Sequence, residues 1–504
     1  MRSKKSSWRA LVLSSLAIII TASLSDRLPC CSALQRRPPS PPLNYKSVLP
    51  SPKNRRRTSS NNNRREELQH FSANGGDDGT TQLSIRGGDD DSSTIIIPQT
   101  RRRNLVVLLV ATALFNDMLQ LTMLLPIIHT LVSSPPPLGV TTNKEVALGL
   151  FFASKDLCQM GFAPIAGILT SKTSANAALI LSTVGLGLAT FVFAEATTFR
   201  QLLVARGAQG AASAAVMCGG LSLIAETHPP DVRGAAMGLA QTGLAFGLLC
   251  GPLIGGLLFQ RLGRKRTFRL AAGILMANAA GMVGLMGLAP PERTAEERKR
   301  ERGETVTEDD ASLVASSKRL LSNRDILAVT ASTLVVHAVV GVIKPISQVV
   351  LDAEFGMTMV KRSFVISIAT VAYFITAPFS GWLSDRVSRP RLVALSLVLM
   401  SGSSAFFALR HLGIWAFYTC VALLGVALGV QKSSSQSLLA DLVDKHELGE
   451  YSMAYALSDV ADSVGLIIGP VVGLWLGQVF SHSVGVLAMG ALCLLLAPVV
   501  LSIK

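Results

Sequence analysis

From Asn104 to the end of the chain, runs of about 20 mostly apolar residues recur, separated by short polar breaks. Each run is long enough to cross ~30 Å of hydrocarbon as a helix rising ~1.5 Å per residue. Backbone facing lipid has no water to bond, so irregular structure is excluded and helices follow. In order, the runs predict twelve spans at about 104–130, 145–170, 176–195, 201–225, 234–259, 268–289, 326–350, 363–384, 391–409, 412–438, 452–478 and 481–503. The 504 residues are 49% hydrophobic and 16% charged, which excludes a large soluble enzyme and leaves an all-α membrane protein. Cys158, Cys218, Cys250, Cys420 and Cys493 stand singly in apolar runs as small buried hydrophobes; no disulfide framework, metal site or cofactor is expected.

The stretch ahead of the first span differs in kind. Residues 1–103 hold 18 Lys and Arg against 8 Asp and Glu, so most of the formal +15 charge sits there. "MRSKKSSWRALVLSSLAIIITASLSD" has a basic start, an apolar segment from Leu11 to Ile20, and small residues suited to cleavage near Ser25 or Ala33. Residues 1–33 therefore read as a secretory signal peptide. Residues 34–100 read as a disordered basic tail composed like a transit peptide: from Arg27 to Arg65 there are ten Arg or Lys and no acid, among many Ser, Pro and Asn. A linker with "GGDD" twice follows at 71–100. Signal and transit peptide in series imply the plastid envelope of an alga with a complex plastid. A signal anchor with a cytosolic arm, leaving the body in an endomembrane or vacuolar membrane, fits the same composition. Nucleic-acid binding is excluded by the near absence of aromatics and of any binding module.

Between spans 6 and 7 a long charged loop, 291–324, divides the body into halves at 101–290 and 325–504, with six spans in each. A repeat supports the division: "GLLCGPLIGG" (247–256) in span 5 returns as "GLIIGPVVGL" (465–474) in span 11, both GxxxGPxxG. Small residues at that spacing let helix backbones approach closely, and two copies at equivalent places indicate a duplicated six-helix unit. Arg101, Arg102 and Arg103, the central loop, and Arg386, Arg389 and Arg391 place both ends on the cytoplasmic-type side; "QRLGRKRTFR" at 260–269 pulls against that orientation.

"GWLSDRVSRPR" (381–391), after span 8, matches the loop signature GxLxDRxxR, and on it the chain resembles the major facilitator superfamily. The counterpart after span 2, "GILTSKTSAN", keeps Gly167 and Leu169 but lacks the Asp. Within the superfamily, "DMLQLTMLLPII" (117–128), "LGLFFASKDLCQ" (148–159), "LLVARGAQG" (202–210), "RGAAMGLAQTGLAFGLLCGP" (233–252) and "YALSDVADSVGLIIGP" (455–470) are similar to vesicular amine transporters and related drug:proton antiporters. The resemblance covers about 104–503. It implies the major facilitator fold, twelve transmembrane helices in two six-helix halves, and a proton-coupled carrier working by alternating access.

An ionisable group within a span costs ~2.5–3.5 kcal/mol on insertion scales and is directed inward, so each needs a role. The resemblance implies a substrate or proton site at Asp117, with packing against Asn116 or a neighbouring helix as the structural alternative. It implies an ion pair between the halves from Lys155 and Asp459, opened by protonation or substrate. Arg206, with Gln209 and Gly210, fits the span-4 RxxQG signature and would tune neighbouring carboxylates or bond backbone carbonyls. Asp462 is outside the family pattern and is either a second titrating group or a partner for Lys432. His337 and His129 carry proton-transfer chemistry but also suit packing; Tyr373 and Tyr455 are candidate cavity residues. The conformational gate is expected at Gly381, Asp385, Arg386 and Arg389, with Gly251, Pro252, Gly469 and Pro470. Two departures bear on the substrate. The residue before the span-7 Pro is an acid in the amine transporters and Lys344 here; the span-10 aspartate is Lys432 here. Those acids help accommodate a cationic amine, so an anionic or zwitterionic solute is expected, with amines and drug-like cations as the alternative. Snorkelling of Lys344 toward a helix end is the structural reading.

The expected partners are a small solute, protons and lipid, for a monomer. No GxSxG, HExxH or Walker A motif supports an enzyme, while a receptor that had lost transport would have lost the coupling charges. Fluorescent fusions of residues 1–100 in an alga with a complex plastid should report at the plastid; a cytosolic or plasma-membrane signal would count against plastid routing.

Overall fold

The computed structural model describes residues 99–124, 127–128, 131, 144–286, 313–446, 448, 451–479 and 481–503. The leader and tail, His129 and most of the central charged loop lie outside the described residues. The helices are α1 (Gln99–Met123), α2 (Lys144–Lys172), α3 (Ala175–Glu195), α4 (Phe199–Thr227), α5 (Pro230–Met286), α6 (Leu313–Ser322), α7 (Arg324–Ala353), α8 (Met359–Ser384), α9 (Arg389–Ala408), α10 (Ile414–Lys445), α11 (Tyr451–Val479) and α12 (His482–Leu501). Ten stretches among the described residues are long and apolar enough to cross a bilayer. The stretch in α5 counts once, although Gly263 at φ 69° and ψ 174° breaks it into two limbs. α2, with Lys155 and Asp156 at mid-length, is not among the ten. With both included, the count agrees with the twelve spans of the sequence.

Local chemistry fixes where the helices begin. Ser174 caps α3 by accepting from Ala177 N, and Asn323 caps α7 by accepting from Asp325 N and Ile326 N. Thr198 and Gln201 close a capping box at the start of α4. Between α9 and α10, Gly413 turns the chain at φ 138°, a conformation that side chains with a Cβ rarely adopt.

The GxxxGPxxG copies do the same work in each half. Gly247, Gly251 and Gly255 lay α5 against α1, where a Cβ on Gly247 would come within 2.9 Å of Leu119 N. Gly465 and Gly469 lay α11 against α7, and Gly341 approaches Pro470 Cδ closely enough that a Cβ would sit 2.9 Å from it. Gly251, Pro252, Gly469 and Pro470, expected in the gate, therefore sit inside the halves. The halves themselves meet along α5 against α8 and α2 against α11. At the first seam a Cβ on Gly381 would come within 2.7 Å of Gly238 Cα; at the second, one on Gly167 would come within 2.9 Å of Met453 Sδ. Those two glycines, one from each signature loop, set the spacing between halves.

The basic stretch 260–269 is spent partly on structure. Arg264 donates to Phe193 O at 2.9 Å and Ala196 O at 2.6 Å, satisfying the open carbonyls at the C-terminal end of α3, and Arg269 pairs with Glu195. Its disagreement with the charge rule thus has a local cause.

Gly469→Val should lower the thermal unfolding midpoint of detergent-purified protein, at ~1–3 kcal/mol for overpacking. Gly273→Ala, where a Cβ meets open space, should leave it unchanged or raised.

Candidate functional site

A cavity of about 220 Å³ lies between the halves, lined by α1, α2, α4, α5, α7, α8, α10 and α11. Its walls are mostly apolar, and six Lys and Asp side chains reach it: Lys155, Asp156, Lys344, Lys432, Asp459 and Asp462. Three are bases and three are acids. His337 and Tyr373 complete the titratable lining.

The charges are wired into two networks. In the first, Lys155 Nζ lies 3.7 Å from Asp117 Oδ1 and donates to Gln159 Oε1 at 3.3 Å, while Gln159 Nε2 donates to Asp459 Oδ1 at 2.9 Å. Ser213 on α4 donates to the same Asp117 oxygen. The pair expected between Lys155 and Asp459 is thus interrupted: Lys155 turns to Asp117, and the neutral Gln159 carries the connection between halves. Lys155 and Gln159 are one helical turn apart on α2 and point the same way, the signal that could have found Gln159. Asp117 Oδ2 and Asp459 Oδ2 have no hydrogen-bond partner among the described residues. In the second network Lys432 on α10 pairs with Asp462 on α11, the ion-pair arrangement of the two weighed for Asp462. His337 Nδ1 faces Thr333 O at 2.8 Å and Asp462 Oδ1 at 3.1 Å, two oxygens for at most one hydrogen.

The remaining residues divide. Tyr373 donates to Gln241 Oε1 at 3.1 Å, joining α8 to α5 beside the cavity. Tyr455 donates to Gln436 O and does not line the cavity. Arg206 is buried away from it, donating to Gln209 Oε1 at 3.0 Å with its charge 5.7 Å from the Phe151 ring centre; among the described residues no carboxylate bonds it, though Asp156 and Asp117 act on it electrostatically. Lys344 is exposed to the cavity and Asp156 is half-buried in its wall; among the described residues neither makes a hydrogen bond or ion pair. Nothing in the sequence pattern singles out Asp156; its place in the wall follows from the fold.

Of the expected gate residues, Asp385 and Arg389 join the two halves as a latch. Asp385 accepts from Gly234 N at 2.7 Å and Ala235 N at 2.8 Å near the N-terminal end of α5, where the helix dipole favours a negative charge. Arg389 bonds Asp385, Asp441 and Pro230 O, and Arg233 on α5 reaches Asp441 at 3.1 Å and Asp444 at 2.7 Å. Arg386 takes no part; it stacks on Trp382, 3.9 Å from the ring centre. Asp441 and Asp444, one turn apart at the end of α10, were legible only as acids on a helix terminus. Among the described residues, the charge pairs toward the opposite end, Arg269 with Glu195, Arg362 with Asp352 and Arg410 with Glu354, each stay within one half. The halves are therefore clasped at the Asp385 end.

Burial, opposed by the Ala235 and Gly234 N–H groups and by Arg389, holds the Asp385 carboxyl above its ordinary value. A latched Asp385 then takes a proton more readily than a solvated one, so acidification favours the latched form. Spin labels on Lys172→Cys and Val387→Cys, in a cysteine-free background, should shift toward the short distance as pH falls toward the carboxylate range. Asp385→Asn should flatten that response; an unaltered response would reject the assignment.

Comparison with known proteins places this geometry. A family model described as Major Facilitator Superfamily matches residues 105–343 and 329–503. The chromaffin granule amine transporter of Rattus norvegicus is 28% identical over 357 residues, 71% of this chain and 65% of that protein. The synaptic vesicular amine transporter of Homo sapiens is 26% identical over 363 residues, 71% of this chain and 66% of that one. The vesicular acetylcholine transporter of Homo sapiens is 27% identical over 381 residues, 72% and 66%. The match thus spans slightly less than two thirds of the length of these relatives. Among solved structures, the human organic anion transporter MFSD10 superposes with a TM-score of 0.64 at 17% identity, over 80% of this chain and 100% of that chain. The proton:xylose symporter XylE, bound to 6-bromo-6-deoxy-D-glucose, gives 0.65 at 14% identity, over 80% and 95%. The chain belongs to the Major Facilitator Superfamily.

Proposed function

We propose that the protein is a secondary active carrier that exchanges a small organic solute for protons by alternating access, with Asp459 as the coupling group and Lys344 receiving an anionic part of the solute. The observation that carries the substrate half of this reading is Lys344 itself: a cation exposed to the central cavity with no partner among the described residues. Lys432 adds little, because Asp462 already answers it. A purely cationic solute would bring a like charge to Lys344 in a low-dielectric space, which disfavours it by several kcal/mol.

Coupling rests on the first network. Asp459 is buried, bonded by a neutral amide, and keeps one oxygen without a partner, so it can accept a proton without first breaking an ion pair. Lys155 and Asp117 hold the N-terminal side of the same network, and the Asp385 latch must open for the solute to leave at that end. Arg206 contributes to the support of α4 through Gln209.

Amine:proton antiport in an endomembrane is the second reading, favoured by the names of the relatives at 26–28% identity. Purified protein in liposomes under an imposed pH gradient separates the two by which solutes accumulate. Asp459→Asn should reduce gradient-driven accumulation to the level of protein-free liposomes while leaving solute exchange measurable. Wild-type accumulation in that variant would remove Asp459 from the mechanism.

A further inference from the structure

The two cavity charges left outside both networks belong to opposite halves. Asp156 is on α2 and Lys344 on α7, and both line the same cavity. Consecutive residues on a helix point about 100° apart, so Lys155 and Gln159 turn toward Asp117 and Asp459 while Asp156 presents its carboxylate to another part of the wall. Asp156 acts electrostatically on Lys344 and on the buried Arg206, yet among the described residues it forms an ion pair with neither. Each other charged side chain on the lining has a partner: Lys155 and Asp459 through Gln159, and Lys432 with Asp462.

An unpaired acid and an unpaired base facing one small cavity are costly in a low-dielectric setting unless something bridges them. Water bridges them weakly. A solute bearing one charge would satisfy one wall and oppose the other. A solute bearing both charges satisfies each and leaves the balance of three bases and three acids unchanged. The volume, about 220 Å³, equals the share of roughly seven waters at ~30 Å³ each, and so admits a small molecule. Leu121, Met217, Leu244, Val340 and Ile343 on the lining suit an apolar body between the charged ends.

The geometry points to a two-ended clamp in which Asp156 takes the cationic end and Lys344 the anionic end of one small zwitterion with an apolar body, so that bound solute joins the halves. The clamp rests on the carrier reading above and narrows its substrate class. It also makes Asp156 a specificity-determining residue.

The test uses the full-length protein in liposomes, with pH gradients imposed in both directions and matched probes in one mixture. On one skeleton these are phenylalanine, phenethylamine and 3-phenylpropionate; on another, leucine, 3-methylbutylamine and 4-methylpentanoate. Mass spectrometry reads accumulation over protein-free liposomes. Wild type should favour the zwitterion of each set by at least about tenfold, since a like charge brought to an unpaired wall costs several kcal/mol. Asp156→Asn should move the preference to the acids and Lys344→Gln to the amines. Asp156→Lys combined with Lys344→Asp should restore the zwitterions in reversed orientation, an outcome a purely structural pair would not give. If wild type accumulates acids alone, the clamp is wrong and the carrier reading stands; amines alone would overturn both the clamp and the anion role of Lys344, and leave the amine:proton reading. Accumulation of nothing would overturn both. The ranking in wild type decides the matter even if the single variants fail to fold.

Discussion

A charge within the hydrocarbon is costly unless something answers it, and most of what is specific to this chain follows from how its charges are answered. Asp117 is answered by Ser213 and Lys155, Asp459 by Gln159, and Lys432 by Asp462. Because the donors and acceptors come from α1, α2, α4, α10 and α11, the requirement ties together helices that apolar packing alone would leave free to slide. Van der Waals contact supplies the frame, through glycines that let α5 meet α1 and α11 meet α7. The polar networks then fix register across the seam between halves.

The clasp at one end shows the same economy in a more hydrated setting. Asp385 meets backbone N–H groups of α5, and two arginines share Asp441. In the first half the equivalent loop keeps Gly167 in close contact with the N-terminal part of α11 but has no acid to place there. Duplication therefore preserved the steric half of the motif in both copies and its ionic half in one.

The spans, the two halves, the duplicated glycine motif and the latch carboxylate were legible in the sequence because each depends on period, length or local spacing. Length set the spans, and GxxxGPxxG at equivalent places exposed the repeat. Partner choice was less legible. The resemblance to the amine transporters put Lys155 opposite Asp459, but a side chain bonds whatever its rotamer reaches, and Lys155 reaches Asp117 while Gln159 takes the acid. Asp462 was open between two roles for the same reason. Arg386 sits inside the signature yet leaves the ionic cluster, since the turn after α8 directs it back over Trp382. Asp156 was not legible as a cavity residue, because only placement on the folded helix shows that it and Lys155 turn to different neighbours.

Gln159 joins two ionic residues through a group that carries no charge, and an amide has a direction. Its nitrogen end donates to Asp459 and its oxygen end accepts from Lys155, so the wiring suits an ionised acid on one side and an ammonium on the other. A protonated Asp459 would carry its hydrogen on one oxygen and still accept on the other, so a proton on Oδ2, the oxygen without a partner among the described residues, would leave both bonds of the amide in place. The bridge between the halves would then outlast the charge at its end, with no rearrangement asked of Lys155.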